Sequence, residues 1–242
     1  MKLLRKVLRL KKKVGRVPCA AVIPAAGLST RMGTDKLMLP LGDVPILIRT
    51  LRVFAACDWI DEIVVPVHPE RVEEMRALFA QYKLLKLRVV AGGATRSASV
   101  LAGVRAVSPG MELVAVHDAA RPFITDALIV RCVECAATYH AAAPAVPIKD
   151  TVKEVAGGLV KKTIPRETLR AVQTPQVFDR ELLIAALSNA EEHGIAVTDD
   201  CAAVEKLGMS VYLTEGDYTN IKITTREDLV FARAILNQEE EL

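Results

Sequence analysis

Six cations and one acid stand in this sequence at places where distant segments can converge: Arg31, Lys36, Arg96, Arg121, Arg166 and Lys222, with Asp118. Most follow an apolar run that reads as a strand. Pro24-Ala25-Ala26-Gly27-Leu28-Ser29-Thr30-Arg31-Met32-Gly33 follows the first run, with Lys36 just beyond it. Gly92-Gly93-Ala94-Thr95-Arg96-Ser97-Ala98-Ser99 follows the third, and His117-Asp118-Ala119-Ala120-Arg121-Pro122 the fourth. Gln173-Thr174-Pro175-Gln176 and Asn220-Ile221-Lys222-Ile223-Thr224 complete the set. Small residues let backbone N–H groups approach a phosphate closely, and nearby cations hold its charge. Arginine meets phosphate with two parallel N–H groups, whereas lysine acts as a compact point charge. One carboxylate amid so many cations suits Mg²⁺ or a similar ion, held directly or through water, because such ions take one or two carboxylates plus phosphate oxygens. The pattern reads as a site for a phosphorylated ligand and a metal.

The elements that must position these residues alternate in type. Strands are predicted at Cys19–Ile23, Glu62–Val67, Leu87–Val90, Leu113–His117, Ala143–Val146 and Val211–Leu213. Helices are predicted at Pro45–Cys57, Glu70–Tyr82, Arg96–Val107, Asp126–His140, Arg180–His193, Asp199–Leu207 and Arg226–Asn237. Nearly continuous apolar strands alternating with helices imply an α/β fold, with a mostly parallel sheet and helices on both faces. Ligands of such sheets bind at the carboxyl ends of the strands, where the turns above fall. The first turn is neither a dinucleotide fingerprint, since G-x-G-x-x-G is absent, nor a P-loop, since no G-K-[S/T] follows. Residues 148–165 instead alternate apolar with polar positions around Gly157-Gly158, a hairpin signal. A lone hairpin is marginal in water, so a protruding arm that forms a homodimer is expected.

Composition narrows the partners. The 242 residues are 51% hydrophobic, enough for one domain with its own core. Eight of the 32 Lys and Arg residues fall within residues 1–16, so the rest of the chain carries 24 basic against 29 acidic side chains. A nucleic-acid binder spreads its positive charge over a folded face, so nucleic acid is not the expected partner. The chain divides into a basic tail, 1–17, and a single domain, 18–242, with the β-arm at about 147–171. Leu3, Val7, Leu10 and Val14 recur at helical spacing in the tail, which is expected to be solvated. No apolar run approaches the roughly 20 residues of a transmembrane helix. Five scattered cysteines, an odd number, do not form a secreted disulfide framework, and a reducing cytoplasmic setting is expected. Cys132-x-x-Cys135 falls inside a predicted helix and reads as packing.

At this point a resemblance becomes specific. PAAGLSTRM, Asp35-Lys36, GGATRSASVLAG, HDAARP, Lys149-Asp150-Thr151, QTPQ and NIKIT occur in the order found in 2-C-methyl-D-erythritol 4-phosphate cytidylyltransferases of the non-mevalonate isoprenoid pathway. The likeness runs from about residue 19 to 237, and HDAARP, QTPQ and NIKIT together carry most of its specificity. It implies a Rossmann-like fold, a homodimer through the β-arm, and Mg²⁺-dependent transfer of CMP from CTP to the sugar-alcohol phosphate, with release of pyrophosphate. Carried over by position, Arg31 and Lys36 match the cations at the CTP α-phosphate. Ala25, Ala26, Gly27, Gly93, Ala94 and Ser99 match the cytidine pocket, and Asp118 the carboxylate near metal and substrates. Arg166 and Lys222 match the pair that positions the acceptor. Arg121, Thr151 and Thr174 match supporting contacts, with Thr151 and Arg166 reaching across from the partner's arm. Ser29 and Asp35-Lys36-Leu37 depart from the glycine and P-K-Q that many members carry.

Two other readings share much of this pattern. Ribitol-5-phosphate cytidylyltransferases resemble the chain in fold, but tend to begin the first loop Leu-Ala-Gly-Gly and to place valine at the position of Ala120. A non-catalytic nucleotide-binding protein of the same fold is the reading from another class. No ordered nucleophile–base pair occurs, and the proposed chemistry needs none, because the acceptor's own phosphate attacks. His117 reads as a strand-end hydrogen-bonding residue, and Asp199-Asp200 as a helix start.

Overall fold

The first strand, β1 (Cys19–Val22), contains no polar side chain and is buried throughout. In a computed structural model of the chain, residues 16–27 and 35–240 are described. The basic tail up to residue 15 and the turn at 28–34, with Arg31 and Ser29, lie outside the described residues. Side chains alternate across a strand. Cys19, Ala21 and Ile23 accordingly enter one core, and Ala20 and Val22 the other. β1 lies between β4 (Glu62–Val67) and β6 (Leu113–Val116), both parallel to it, with β5 (Leu87–Ala91) parallel beyond β4. The short β2 (Pro40–Leu41) and β3 (Val44–Pro45) form a separate ribbon.

Helices cover both faces, as the apolar strands require. α1 (Ile46–Ala56), α2 (Val72–Gln81) and α4 (Asp126–Tyr139) contribute Phe54, Phe79 and Ile129 to the first core. α3 (Arg96–Ala106), α5 (Arg180–Glu192) and α6 (Asp200–Lys206) contribute Val104, Leu182 and Val204 to the second. Side-chain caps set several of these starts: Thr95, Thr125, Asp179 and Asp199 each accept a hydrogen bond from a backbone N–H of the first turn. The last helix, α7 (Arg226–Glu240), starts after Thr225, whose hydroxyl accepts from the Asp228 N–H. Its Ala232 and Leu236 join Ile223 in a third, smaller cluster.

The second half of the sheet departs from a purely parallel plan. β7 (Ala141–Pro147) pairs in parallel with β12 (Tyr212–Glu215), but antiparallel with β10 (Arg170–Val172) and β11 (Gln176–Asp179). β11 also runs antiparallel to β6, closing the eight-stranded sheet. β10 and β11 were not anticipated, because QTPQ interrupts them and leaves two segments too short for a period to show. The hairpin is present as β8 (Val152–Ala156) and β9 (Leu159–Ile164). Gly157 and Gly158 take φ of +56° and +79°, the left-handed pair that a tight hairpin turn demands. Val155, Leu159 and Val160 on it are exposed.

α3 packs directly on β1 and β4 where Gly103 has no side chain. A Cβ there would come within 2.6 Å of Val22 Cγ1 and 2.7 Å of Pro66 Cγ. Alanine's better helix propensity is worth about 1 kcal/mol, less than the ~1–3 kcal/mol that overpacking costs. Gly103→Ala should therefore lower the midpoint of urea unfolding. Gly110→Ala, where nothing lies within 4 Å, should not. Equal midpoints in the two variants would show that α3 can shift freely.

Candidate functional site

A cavity of about 740 Å³ opens where the first turns leave β1, β4, β5 and β6. Pro24, Ala25, Ala26 and Gly27 line it, with Gly92, Gly93 and Ala94 packed beside them. Backbone bonds hold these turns on the sheet: the Ala25 N–H donates to the Pro66 carbonyl at 2.7 Å, and the Gly92 N–H to that of Val67 at 2.7 Å. A Cβ on Gly92 would meet Ala26 Cβ at 2.8 Å, and one on Gly93 would meet Ala98 Cβ at 2.5 Å, so both positions need glycine. The Ser99 hydroxyl accepts from the Gly93 N–H at 3.1 Å and lies 2.8 Å from the Thr95 carbonyl, to which it donates. Its hydrogen bonds therefore shape the turn that faces the cavity.

Lys36 also lines the cavity, half-buried on a 3-10 turn (Lys36–Met38) whose next residue, Leu37, is in the core. Lys222 and Asp118 line the same cavity. Among the described residues, Asp118 is the one acid on the lining, and three cations surround it. Its Oδ2 accepts from Lys222 Nζ at 2.8 Å and its Oδ1 from Arg96 Nη2 at 3.3 Å, while Arg121 Nε stands 3.8 Å away. Burial alone would raise the Asp118 carboxyl, but attraction from Arg96, Lys222 and Arg121 wins and lowers it to about 2. It is a permanent anion at neutral pH.

Behind the cavity, two glutamines of the QTPQ segment clamp separate parts of the chain. Buried Gln173 donates to the Asp217 carbonyl at 2.6 Å and accepts from the Asp217 N–H at 3.2 Å, fixing the loop that bears Lys222. That loop is tied down further by Asn220, whose Nδ2 donates to the Thr174 carbonyl, and by Ile223, whose N–H donates to the Ala120 carbonyl. Gln176 accepts from the N–H groups of Asp200 and Cys201 and donates to Asp199, fixing the start of α6. The fully buried Asp200 then accepts from Arg96 Nη2 at 2.9 Å. Burial raises the Asp200 carboxyl, opposed by Arg96. Arg96 thus bridges one carboxylate at the cavity and one inside the protein.

The structure brings Ala25, Ala26, Gly27, Lys36, Gly93, Ala94, Ser99, Asp118 and Lys222 to this single cavity. Arg121 and Thr174 stand one layer behind it: Arg121 Nη1 donates to the Asn220 carbonyl at 2.6 Å, and buried Thr174 accepts from the Asp118 N–H at 3.1 Å. Thr151 and Arg166 are not gathered there. Thr151 is exposed at the base of the hairpin, and Arg166 lines a second hollow with Lys149, Arg170 and Tyr218. Arg31 lies outside the described residues. Sequence reasoning missed Asp200, although its position beside the helix cap Asp199 was visible, and it missed the division of labour between Gln173 and Gln176. Among the described residues no group of three or more His, Cys, Asp or Glu could hold a metal by itself.

Residues 19–238 match the family described as IspD, 2-C-methyl-D-erythritol 4-phosphate cytidylyltransferase. A relative of that name from Halalkalibacterium halodurans is 47% identical over 224 residues, covering 91% of this chain and 98% of its own. One from Desulforamulus reducens is 46% identical over 223 residues, covering 90% and 95%. Among solved structures, the 4-diphosphocytidyl-2C-methyl-D-erythritol synthase of Anaerococcus prevotii superposes with a TM-score of 0.82 at 31% identity, over 91% of this chain and 96% of that one. The 2-C-methyl-D-erythritol 4-phosphate cytidylyltransferase of Thermus thermophilus gives 0.77 at 37% identity, over 91% and 100%.

His117 completes the wiring under Asp118. Its Nε2 lies 3.1 Å from the Arg121 carbonyl, which only accepts, so Nε2 carries the proton. Its Nδ1 therefore accepts from the Thr174 hydroxyl at 3.0 Å, and that hydroxyl in turn accepts from the Asp118 N–H. Burial pushes the imidazole down from 6.5 to about 4. The unfolded chain then takes up this proton first, so the contribution to stability is full above 6.5 and is lost as pH falls towards 4. In His117→Gln the amide can still donate to the Arg121 carbonyl but does not titrate. The stability difference between wild type and this variant should change by roughly 3 kcal/mol across that window in denaturant titrations. Parallel pH profiles would show that the folded imidazole takes up a proton as readily as the unfolded one.

Proposed function

The chain belongs to the 2-C-methyl-D-erythritol 4-phosphate cytidylyltransferase family, and on that premise we propose how its cavity transfers CMP from CTP to 2-C-methyl-D-erythritol 4-phosphate and releases pyrophosphate. One observation supports the assignment above the others: an ionised Asp118, ringed by Arg96, Arg121 and Lys222, shares with Lys36 a cavity lined largely by backbone and small side chains. The closely packed Ala25–Gly27 and Gly92–Ala94 turns take the cytidine, where exposed backbone groups offer hydrogen bonds and the absence of side chains leaves room for a flat base. Arg31 and Lys36 meet the α-phosphate, and Lys222 meets the acceptor's phosphate.

The obstacle is charge. Two phosphate-bearing reactants repel by about 1 kcal/mol per unit pair at ~4 Å in water, and several-fold more at an effective dielectric near 20. Cations already fixed in the protein offset that repulsion without rearranging during the reaction. The attacking atom is an oxygen of the acceptor's phosphate, already ionised, so no side chain has to remove a proton. Orientation does the rest: a nucleophile held in line with the departing pyrophosphate converts an encounter into an internal step. A divalent cation such as Mg²⁺ fits this donor set, with Asp118 directly or through water, phosphate oxygens and solvent completing its shell, and it would neutralise charge on the phosphates.

Thr151 and Arg166 are assigned to the neighbouring protomer's site. The exposed apolar side chains of the hairpin and the place of Arg166 on a second hollow, not on the cavity lining, both favour an arm that embraces a second copy. Residues 18–242 then act as one catalytic domain. The free cysteines suit a reducing compartment such as the cytoplasm, and no helix among the described residues is long and apolar enough to cross a membrane.

Lys36→Ala should lower turnover about 10²–10³-fold in a folded protein, as removal of a preorganised charge does. Pyrophosphate release measured with CTP and either methylerythritol phosphate or ribitol 5-phosphate should favour the former; preference for ribitol 5-phosphate would reassign the acceptor. Mixed Lys36→Ala and Arg166→Ala proteins, each impaired alone, should recover up to about a quarter of wild-type activity, since half of randomly paired dimers hold one intact site. No recovery after subunit exchange would place Arg166 in its own subunit's site.

A further inference from the structure

The turn that carries Lys36 is anchored on both sides, and the second anchor lies neither on the cavity lining nor among the cations around Asp118. Downstream, Leu37 is buried in the core. Upstream, Asp35 has two carboxylate oxygens with separate tasks. Oδ1 accepts from the Leu37 N–H at 3.2 Å and caps the 3-10 turn, while Oδ2 is paired with Arg71 Nη1. Arg71 is itself held in place. Its Nε and Nη2 donate to the two oxygens of Glu74 at 2.8 and 2.7 Å, leaving Nη1 aimed at Asp35. The guanidinium sits at the end of a short turn (Pro69–Arg71) that starts at His68, a residue on the cavity wall. One connection, between β4 and α2, therefore both lines the cavity and grips the approach to Lys36.

We propose that Arg71 is a positioning residue for Lys36, acting through Asp35; this rests on the reading of Lys36 as a cation at the CTP phosphates. A lysine on a four-carbon stem has wide reach, so its usefulness depends on where its Cα is held. The Asp35 carboxylate fixes that Cα from the preceding residue, and Arg71 fixes the carboxylate. Asp35 has φ of −67°, a value that proline's ring imposes without any ion pair. The latch can therefore be replaced by a covalent constraint at the same position.

The test measures steady-state turnover and thermal unfolding for Arg71→Gln in three backgrounds: wild type, Asp35→Pro and Lys36→Ala. In the wild-type background the substitution should lower kcat about ten-fold, because small displacements of a charge at a reacting centre are costly. In Asp35→Pro and in Lys36→Ala it should lower kcat less than two-fold, since the carboxylate or the lysine it acts through is gone. Equal losses in all three backgrounds, or no loss in wild type, would overturn the proposal. Near-normal turnover of Lys36→Ala itself would instead reject the role of Lys36. Should Arg71→Gln fail to fold, Arg71→Lys keeps the charge but not the paired contacts to Glu74. It should then show the same dependence on background, and a background-independent loss would count against the latch.

Discussion

Asp118 is the point on which the site turns. A single carboxylate, largely removed from water, is kept ionised by cations supplied from three parts of the chain: Arg96 at the start of α3, Arg121 in the turn that follows Asp118 itself, and Lys222 in the loop before α7. Without that anion, three like charges would converge on the cavity with only Asp200, paired to Arg96 from inside the protein, to offset them. With it, they are held at fixed distances and ready for a ligand that brings more negative charge. The arrangement explains why a cluster with a surplus of positive charge can exist in the fold before any phosphate binds.

Everything beneath this cluster serves to keep it in place. The Thr174 hydroxyl receives the Asp118 N–H, and His117 receives the Thr174 hydroxyl, so the peptide that bears the carboxylate is hydrogen-bonded two layers deep. Gln173 and Gln176, three residues apart, face different ends of the structure and secure Lys222 and Arg96 respectively, the latter through α6 and Asp200. Gln173 follows the short strand β10 and Gln176 opens β11, so one segment reaches both. The sheet thus presents its strand ends as a rigid rim, and the cations stand on that rim.

Much of this was legible in the residues. Continuous apolar runs such as Cys19–Val22 and Leu113–Val116 could only be central strands, and the glycine pair at 157–158 could only be a tight turn. The turns rich in glycine and alanine had to lie at strand ends once the alternation with helices was recognised. Those two facts bring the turns at Ala25, Gly93 and Asp118 to one cavity, as the structure shows. What could not be read were contacts made by residues with ordinary sequence surroundings. Asp200 looks like any acid in a first helical turn, and only its burial against Arg96 shows otherwise. Arg71 sits in a charged helix start where ion pairs are commonplace, and Asp35 there looked like a departure from a familiar pattern. β10 and β11 escaped because three or four residues are too few to display a period of two. Arg166 follows the hairpin in sequence but lies on a second hollow, away from the lining of the main cavity.

The most direct measurement is a carboxyl-carbon NMR titration of Asp118 in the folded protein. A midpoint at about 2, rising when Arg96→Gln removes one of the surrounding charges, is the result that the cation cluster requires. A midpoint at the ordinary value of 3.8, unmoved by that substitution, would mean that the cations do not act on this carboxylate.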